Sequence, residues 1–339
     1  MLFFAIVPPM KRSEPMMSLP DFKYKQIIVH MTEGNGEKLR FRADNIVIED
    51  ADGKVILQHT CHRIFALFIL GEISITSVLI KHCIMYHFPI ILMNRSFRVI
   101  AKFNCEAEGN TLLRQKQYKA TVADNLEIAK TLIAQKISNQ CLLIEKIRKK
   151  SESDREALNA LRKITLSDVR DNFDLMGREG LASRTFFSAY FHRLEWRRRE
   201  PRCKHDIPNL LLDIGYTWLF QFVEALLSLY GFDLYCGVLH TFFYQRKSLV
   251  CDIIEPFRCI VDERIRKAHN LGQIDPEDFG IKNGTYFLKY EHQKKYAALF
   301  LKDFLSYKEE MFKFVQSYYR WFVRGKSIEE FPVFCIRGG

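Results

Sequence analysis

Three short segments hold side chains able to grip a cation and act on a phosphodiester. Met176-Gly177-Arg178-Glu179-Gly180 sets a carboxylate between two glycines, at the start of a helical run from Leu181 to Tyr190. Glycines there let the backbone bend and let a ligand approach closely. Gly237-Val238-Leu239-His240 offers an imidazole in apolar company. Ser248-Leu249-Val250-Cys251-Asp252-Ile253-Ile254-Glu255-Pro256-Phe257-Arg258 carries Asp252 and Glu255 at i and i+3, so on a helix both carboxylates leave from one face. Like charges placed so repel, and a divalent cation relieves them. Each segment alone also has a plainer reading: a helix start with a surface glutamate, a satisfied core histidine, a solvated helix face. Pro256 removes one hydrogen bond from the third helix and kinks it, which leaves its start open.

Apolar Leu249, Val250, Ile253, Ile254 and Phe257 surround the acid pair and favour burial. Glu179, His240 and Glu255, with Asp252 close by, are hard oxygen ligands plus one imidazole, a set that suits Mg²⁺ or Mn²⁺ better than a structural zinc. The other nine histidines show no ligand spacing. His240 is assigned to the metal and not to general-base work, because no carboxylate is visibly placed to orient it.

The chain carries 51 Lys+Arg against 40 Asp+Glu, a net charge of +11 on 339 residues. That excess points to an anionic partner, nucleic acid or an acidic membrane surface. Part of it is local: Arg184, Arg193, Arg197, Arg198, Arg199, Arg202 and Lys204 follow closely on Glu179, opposed by Glu195 and Glu200 alone. Beside a phosphodiester site, such a run tracks a DNA backbone. The most apolar stretch, Leu210 to Tyr230, is interrupted every three or four residues by Asp213, Thr217, Gln221, Glu224 and Ser228, which reads as a core helix and not a membrane span. Nine scattered cysteines without a C-x-x-C pair indicate a reduced, cytoplasmic chain.

The elements that must position these residues fall into two textures. Strand patterns run over Tyr24–Met31, Leu39–Arg42, Asn45–Glu49, Lys54–Gln58, Ile64–Leu70, Phe88–Met93 and Val99–Phe103, with turns at Gly34-Asn35-Gly36 and Asp52-Gly53. One helix interrupts them over Ser74–Tyr86, capped by Ser74 or Thr76. After Cys105 the chain reads as helical: Leu112–Lys150 as one or two helices, then segments near 154–163, 165–176, 181–200, 208–230, 249–269 and 295–324. The break near residue 104 divides the chain. Residues 1–16 precede Met17 and read as an arm or an overlong gene start.

The order and spacing of M-G-x-E-G, G-V-L-H and S-L-x-x-D-x-x-E-P-F-R resemble the signature of the CRISPR-associated Cas1 integrases and endonucleases. Ser18-Leu19-Pro20, Ile73-Ser74-Ile75-Thr76-Ser77, Phe88-Pro89-Ile90-Ile91 and Pro208-Asn209-Leu210 to Gly215-Tyr216 are similar to further landmarks of that family. The resemblance covers about residues 18–338. It implies an α+β multidomain protein: an extra arm or mis-called start at 1–17, a small β-sandwich-like dimerisation domain at 18–104, and a larger all-α, metal-dependent catalytic domain at 105–339. The family's metal ligands fall on Glu179, His240 and Glu255, where many members have Asp at the third; Asp252 matches an acidic neighbour close to the metal. Arg258 falls on a basic position near bound DNA. Arg246, together with Arg184, Arg197, Arg198 and Arg199, supplies further candidate phosphate contacts. The implied activity joins the 3′-OH ends of short foreign DNA duplexes to a CRISPR repeat by transesterification, with associated endonuclease activity. Implied partners are double-stranded DNA, a second copy of the chain, and the small protein Cas2 in a heterohexamer. The alternatives are an inactive DNA-binding scaffold or a transposon-type integrase of the same fold.

Overall fold

The computed structural model describes residues 17–33, 36–104, 110–194, 196–240 and 244–337. The expected N-terminal arm to residue 16, Gly34-Asn35 of the expected first turn and residues 105–109 after the expected domain break lie outside these. Met17 packs, half-buried, against the main core. Ser18 then opens a short helix, α1 (Leu19–Tyr24), with a reciprocal cap to Asp21. Tyr24, expected in a strand, therefore ends a helix, and β1 (Gln26–Met31) begins after it.

Two four-stranded sheets follow. One has the order β1, β5 (Ile64–Leu70), β7 (Ile90–Met93), β8 (Val99–Phe103); the other has β4 (Val55–Thr60), β3 (Asn45–Glu49), β2 (Lys38–Arg42), β6 (Ser74–Ile75). The predicted hairpin across Asp52-Gly53 is present, with Val47 opposite Gln58. Thr76 caps α2 (Ser77–Met85), accepting from Leu79 N at 3.4 Å. Leu39, Ile46 and Ile48 of one sheet meet Ile28, Leu67 and Ile69 of the other in a closed apolar cluster.

Every residue of β5 is buried, because its two faces serve two cores. Ile64, Leu67 and Ile69 face the inter-sheet cluster, whereas Phe65, Ala66, Phe68 and Leu70 face the helices. Phe65 packs edge-on to Phe222 at 5.4 Å, and Phe68 stacks on Trp218 at 4.8 Å. Each such side chain contributes roughly 1.5–3 kcal/mol by burial, so the sheet region is bonded to the helical region by its own central strand.

The helical region begins with α3 (Thr111–Lys119) and α4 (Val122–Glu145), separated where Thr121 caps the second through Asp124. Next come α5 (Glu152–Arg162), α6 (Asn172–Tyr190), α7 (Ile207–Ser228), α8 (Ser248–Ile253), α9 (Arg258–Asn270) and α10 (Gln293–Arg324). The segment expected to be helical over 165–176 is helical only from Asn172, where α6 starts, capped by Asp171. The segment expected over 181–200 is helical only to Tyr190. The region is also not purely helical: β9 (Phe279–Lys282) and β10 (Thr285–Leu288) pair across Asn283-Gly284. Among the described residues α7 is the one helix long and apolar enough to cross a membrane, and it is buried within the protein.

Gly215 marks where α7 passes closest to its neighbours. A Cβ there would lie 2.5 Å from Val261 Cγ1 of α9 and 2.8 Å from Phe300 of α10. Gly215→Ala gains helix propensity but must push apart three buried helices. A net loss of about 1–3 kcal/mol is expected in urea unfolding; unchanged stability would contradict this packing.

Candidate metal and nucleic-acid site

Glu179 lies inside α6 and not at a helix start, so its flanking glycines do not mark the bend expected of them. A Cβ at Gly177 or Gly180 would meet nothing within 4 Å, so neither is required by packing inside the chain. Ser183, one turn on, donates to Glu179 Oε1 at 2.7 Å, and the Lys136 ammonium from α4 donates to the same oxygen.

His240 is positioned by a buried carboxylate. Asp252, on α8, has no exposed surface. Its Oδ2 accepts from Val238 N at 2.6 Å and Leu239 N at 3.1 Å; its Oδ1 accepts from His240 N at 3.1 Å and from the ring Nδ1 at 2.5 Å. With Nδ1–H donated to Asp252, Nε2 keeps its lone pair for a ligand. The orienting carboxylate judged missing from the sequence is therefore Asp252. Gly237 makes the wrap possible: a Cβ there would sit 2.7 Å from Asp252 Oδ2 and 2.6 Å from Ser248 Cβ. Asn172, at the start of α6, donates to Val238 O at 3.0 Å and Leu239 O at 3.2 Å, which ties the Glu179 helix to the His240 loop.

Glu255 does not share a helix face with Asp252. The helix stops at Ile253, Glu255–Phe257 form a 3₁₀ turn around Pro256, and α9 restarts at Arg258. The two carboxylates take separate partners, so a shared cation is not what relieves them. Arg258 donates Nε to Glu255 Oε1 at 3.0 Å, and Lys136 Nζ lies 2.7 Å from Oε2. That ionic contact leaves the buried Oε2 without a well-directed hydrogen bond. Burial would raise the Glu255 pKa, but Arg258 and then Lys136 outweigh it and hold it at about 2. Burial also opposes the charges of Lys136 and Glu179; the two glutamates raise the Lys136 pKa, and Lys136 lowers that of Glu179.

Lys136, Glu179, His240, Glu255 and Arg258 all line one cavity of about 1700 Å³. Two carboxylates and an imidazole with its second nitrogen anchored fit a hard divalent cation, and the unsatisfied Glu255 Oε2 is consistent with that role. As the side chains lie, no three His, Cys, Asp or Glu among the described residues converge on a point. Lys136 stands between the two glutamates.

Residues 31–302 match the family model for CRISPR associated protein Cas1. The chain belongs to the Cas1 family. It is 30% identical over 247 residues to CRISPR-associated endonuclease Cas1 1 of Thermodesulfovibrio yellowstonii, which covers 68% of this chain and 77% of that one. In fold it is similar to a casposase bound to integration product, with a TM-score of 0.74 at 19% identity, over 89% of this chain and 92% of that one. It is also similar to a chain of a Cas6-RT-Cas1–Cas2 complex, with a TM-score of 0.78 at 19% identity, over 96% of this chain but 37% of that longer one.

In this Cas1 chain the arginine cluster divides by partner. Arg184, Arg198, Arg199, Arg202 and Lys204 line the cavity, but Arg197 and Arg246 do not. Arg199 is held internally, by Asp213 at 2.6 Å and Asn209 at 2.9 Å, and Arg198 pairs with Glu200 at 2.5 Å. Asp213 also accepts from Arg202 N at 2.9 Å, so the first turns of α7 pin the whole basic loop. Arg258 stacks over Tyr216 at 4.6 Å and forms the inner wall. Sequence reasoning missed Lys136; the sign of it was the polar stripe Gln135, Lys136, Asn139 and Gln140 in the middle of α4, where the neighbouring Leu132, Ile133, Ile137, Leu143 and Ile144 are apolar.

Behind that wall, Tyr216 donates to Asp262 Oδ1 at 2.5 Å. Burial pushes the Asp262 pKa up to about 7, against the hydrogen bond from Tyr216 and the charge of Arg258. The folded pKa lies above the unfolded one, so folding holds a proton between about pH 4 and 7 and stability falls as pH rises through that window. Asp262→Asn keeps an acceptor and removes the charge. Urea unfolding is expected to show its advantage over the parent growing between pH 5 and 8 by a few kcal/mol, on the order of the shift; equal differences at both pH values would refute it.

Proposed function

We propose that this chain is an integrase of CRISPR adaptation, joining the 3′-OH ends of short DNA duplexes to a CRISPR repeat, with DNA endonuclease activity at the same site. The observation that carries this reading is the meeting, in one cavity walled by arginines, of a glutamate, an aspartate-anchored histidine and a second glutamate from three separate segments. Glu179, His240 and Glu255 would hold Mg²⁺ or Mn²⁺, which when bound supplies charge stabilisation for a phosphoryl transition state.

The protein's own contribution is orientation and charge. Asp252 fixes the His240 ring so that Nε2 faces the cavity. Ser183 and Arg258 hold the carboxylates of Glu179 and Glu255. Arg184, Arg202 and Lys204 line the path a duplex backbone takes into the cavity, with Arg198 beside them. In transesterification one phosphodiester replaces another, so the reaction needs no nucleotide triphosphate; the chain has no G-x-x-x-x-G-K-[ST] motif. Within this reading the sheet region at 18–104 serves dimerisation, the helical region is catalytic, and Cas2 completes a heterohexamer in the cytoplasm.

Glu179→Gln, His240→Ala and Glu255→Gln are each expected to lower strand transfer into a repeat-bearing plasmid at least about 100-fold, with duplex binding retained. Transfer that persists in any of them would remove that residue from the site. Arg184→Glu with Arg202→Glu is expected to weaken duplex binding and flatten its dependence on salt. Arg199→Ala should instead lower the melting temperature, because its guanidinium is engaged inside the protein. A salt slope unmoved by the first pair would place the DNA path elsewhere.

A further inference from the structure

Lys136 is 8% exposed and lines the cavity. It contacts Oε1 of Glu179 and Oε2 of Glu255 and so joins two carboxylates borne by different segments. A buried ammonium is tolerated only when paired, and two buried carboxylates need positive charge between them. Glu255 has a second cation, Arg258, on its other oxygen. Glu179 is held by Lys136 and the Ser183 hydroxyl. Lys136 thus engages one oxygen of each of the two carboxylates that would hold the metal.

We propose that Lys136 is a resident counter-ion: it keeps the ligand cage assembled when no metal is bound, and it is displaced from between the carboxylates when metal enters. This rests on the reading that Glu179, His240 and Glu255 hold the metal. Metal binding is then an exchange of one cation for another, and its apparent affinity is weakened by the ammonium that must leave. Lys136 is thus a positioning residue that sets metal affinity.

The test is Mn²⁺ titration of the full chain, followed by calorimetry and by thermal melting without nucleic acid, for the parent, Lys136→Met, the double variant Lys136→Met with Glu179→Gln, and His240→Ala. Lys136→Met is expected to melt lower without metal, to bind Mn²⁺ about tenfold more tightly, and to show a larger Mn²⁺-dependent rise in melting temperature than the parent. The double variant, with one carboxylate neutralised, is expected to regain most of the metal-free melting temperature. Affinity for Mn²⁺ within twofold of the parent, or weaker, in folded Lys136→Met would overturn the proposal. So would a Lys136→Met protein that stays unfolded at saturating Mn²⁺, since the ion would then not replace the ammonium. Parent binding that survives His240→Ala undiminished would instead count against the metal reading itself.

Discussion

An imidazole presents one nitrogen in a fixed direction only if the other is engaged, and in this chain a single buried carboxylate meets that condition. Asp252 accepts three backbone N–H groups and the His240 ring, so the loop that carries the histidine has its shape and its electrostatics set by one residue. Much follows from this. Gly237 must lack a Cβ, since one there would sit 2.7 Å from Asp252 Oδ2, and Asn172 must reach the same loop to tie it to the Glu179 helix.

Around that fixed point the other charges are balanced in short range. Lys136 joins α4 to α6 and to the Glu255 turn, Arg258 backs Glu255, and Tyr216 with Asp262 supports Arg258 from behind. Positive charge in the cavity is thus of two kinds. Lys136, Arg199 and Arg258 are committed inside the protein, whereas Arg184 and Arg202 are exposed on the cavity wall. The net charge of +11 is informative only after that division.

The sheet strands were legible because strand character is a local signal, and Asn45–Glu49 does pair with its expected partner across Asp52-Gly53, with a bulge at Ile48/Glu49. The three chemical segments were legible by type. Their geometry was less so: the two glycines around Glu179 suggested a helix start, but packing of α6 on α4 and α5 carries the helix straight through them. The acid pair looked like one helix face because i and i+3 spacing says nothing of the break that Pro256 enforces. Asp252 could not be seen as the partner of His240, since a contact between residues twelve apart depends on how the loop folds back. The β9–β10 hairpin went unread despite its Asn283-Gly284 turn, because its strands are only four residues each. Lys136 was missed because it is one of several polar residues on α4, and only the fold reveals what it meets.

One set of hydrogen bonds joins segments 195–199 residues apart. Gln135 and Asn139 of α4 hold the extended segment that follows Ser327–Glu330, through Pro332 O, Phe334 N and O, and Ile336 N. Asn139 also donates to Pro256 O, beside Glu255. Phe334 packs edge-on to Phe257 at 4.7 Å. During translation α4 emerges long before the residues that lock it against the Glu255 turn. The nascent chain therefore holds α4 and the Glu255 turn before it holds the segment that ties them together, and the backing of this side of the cleft is completed only once that segment has been made.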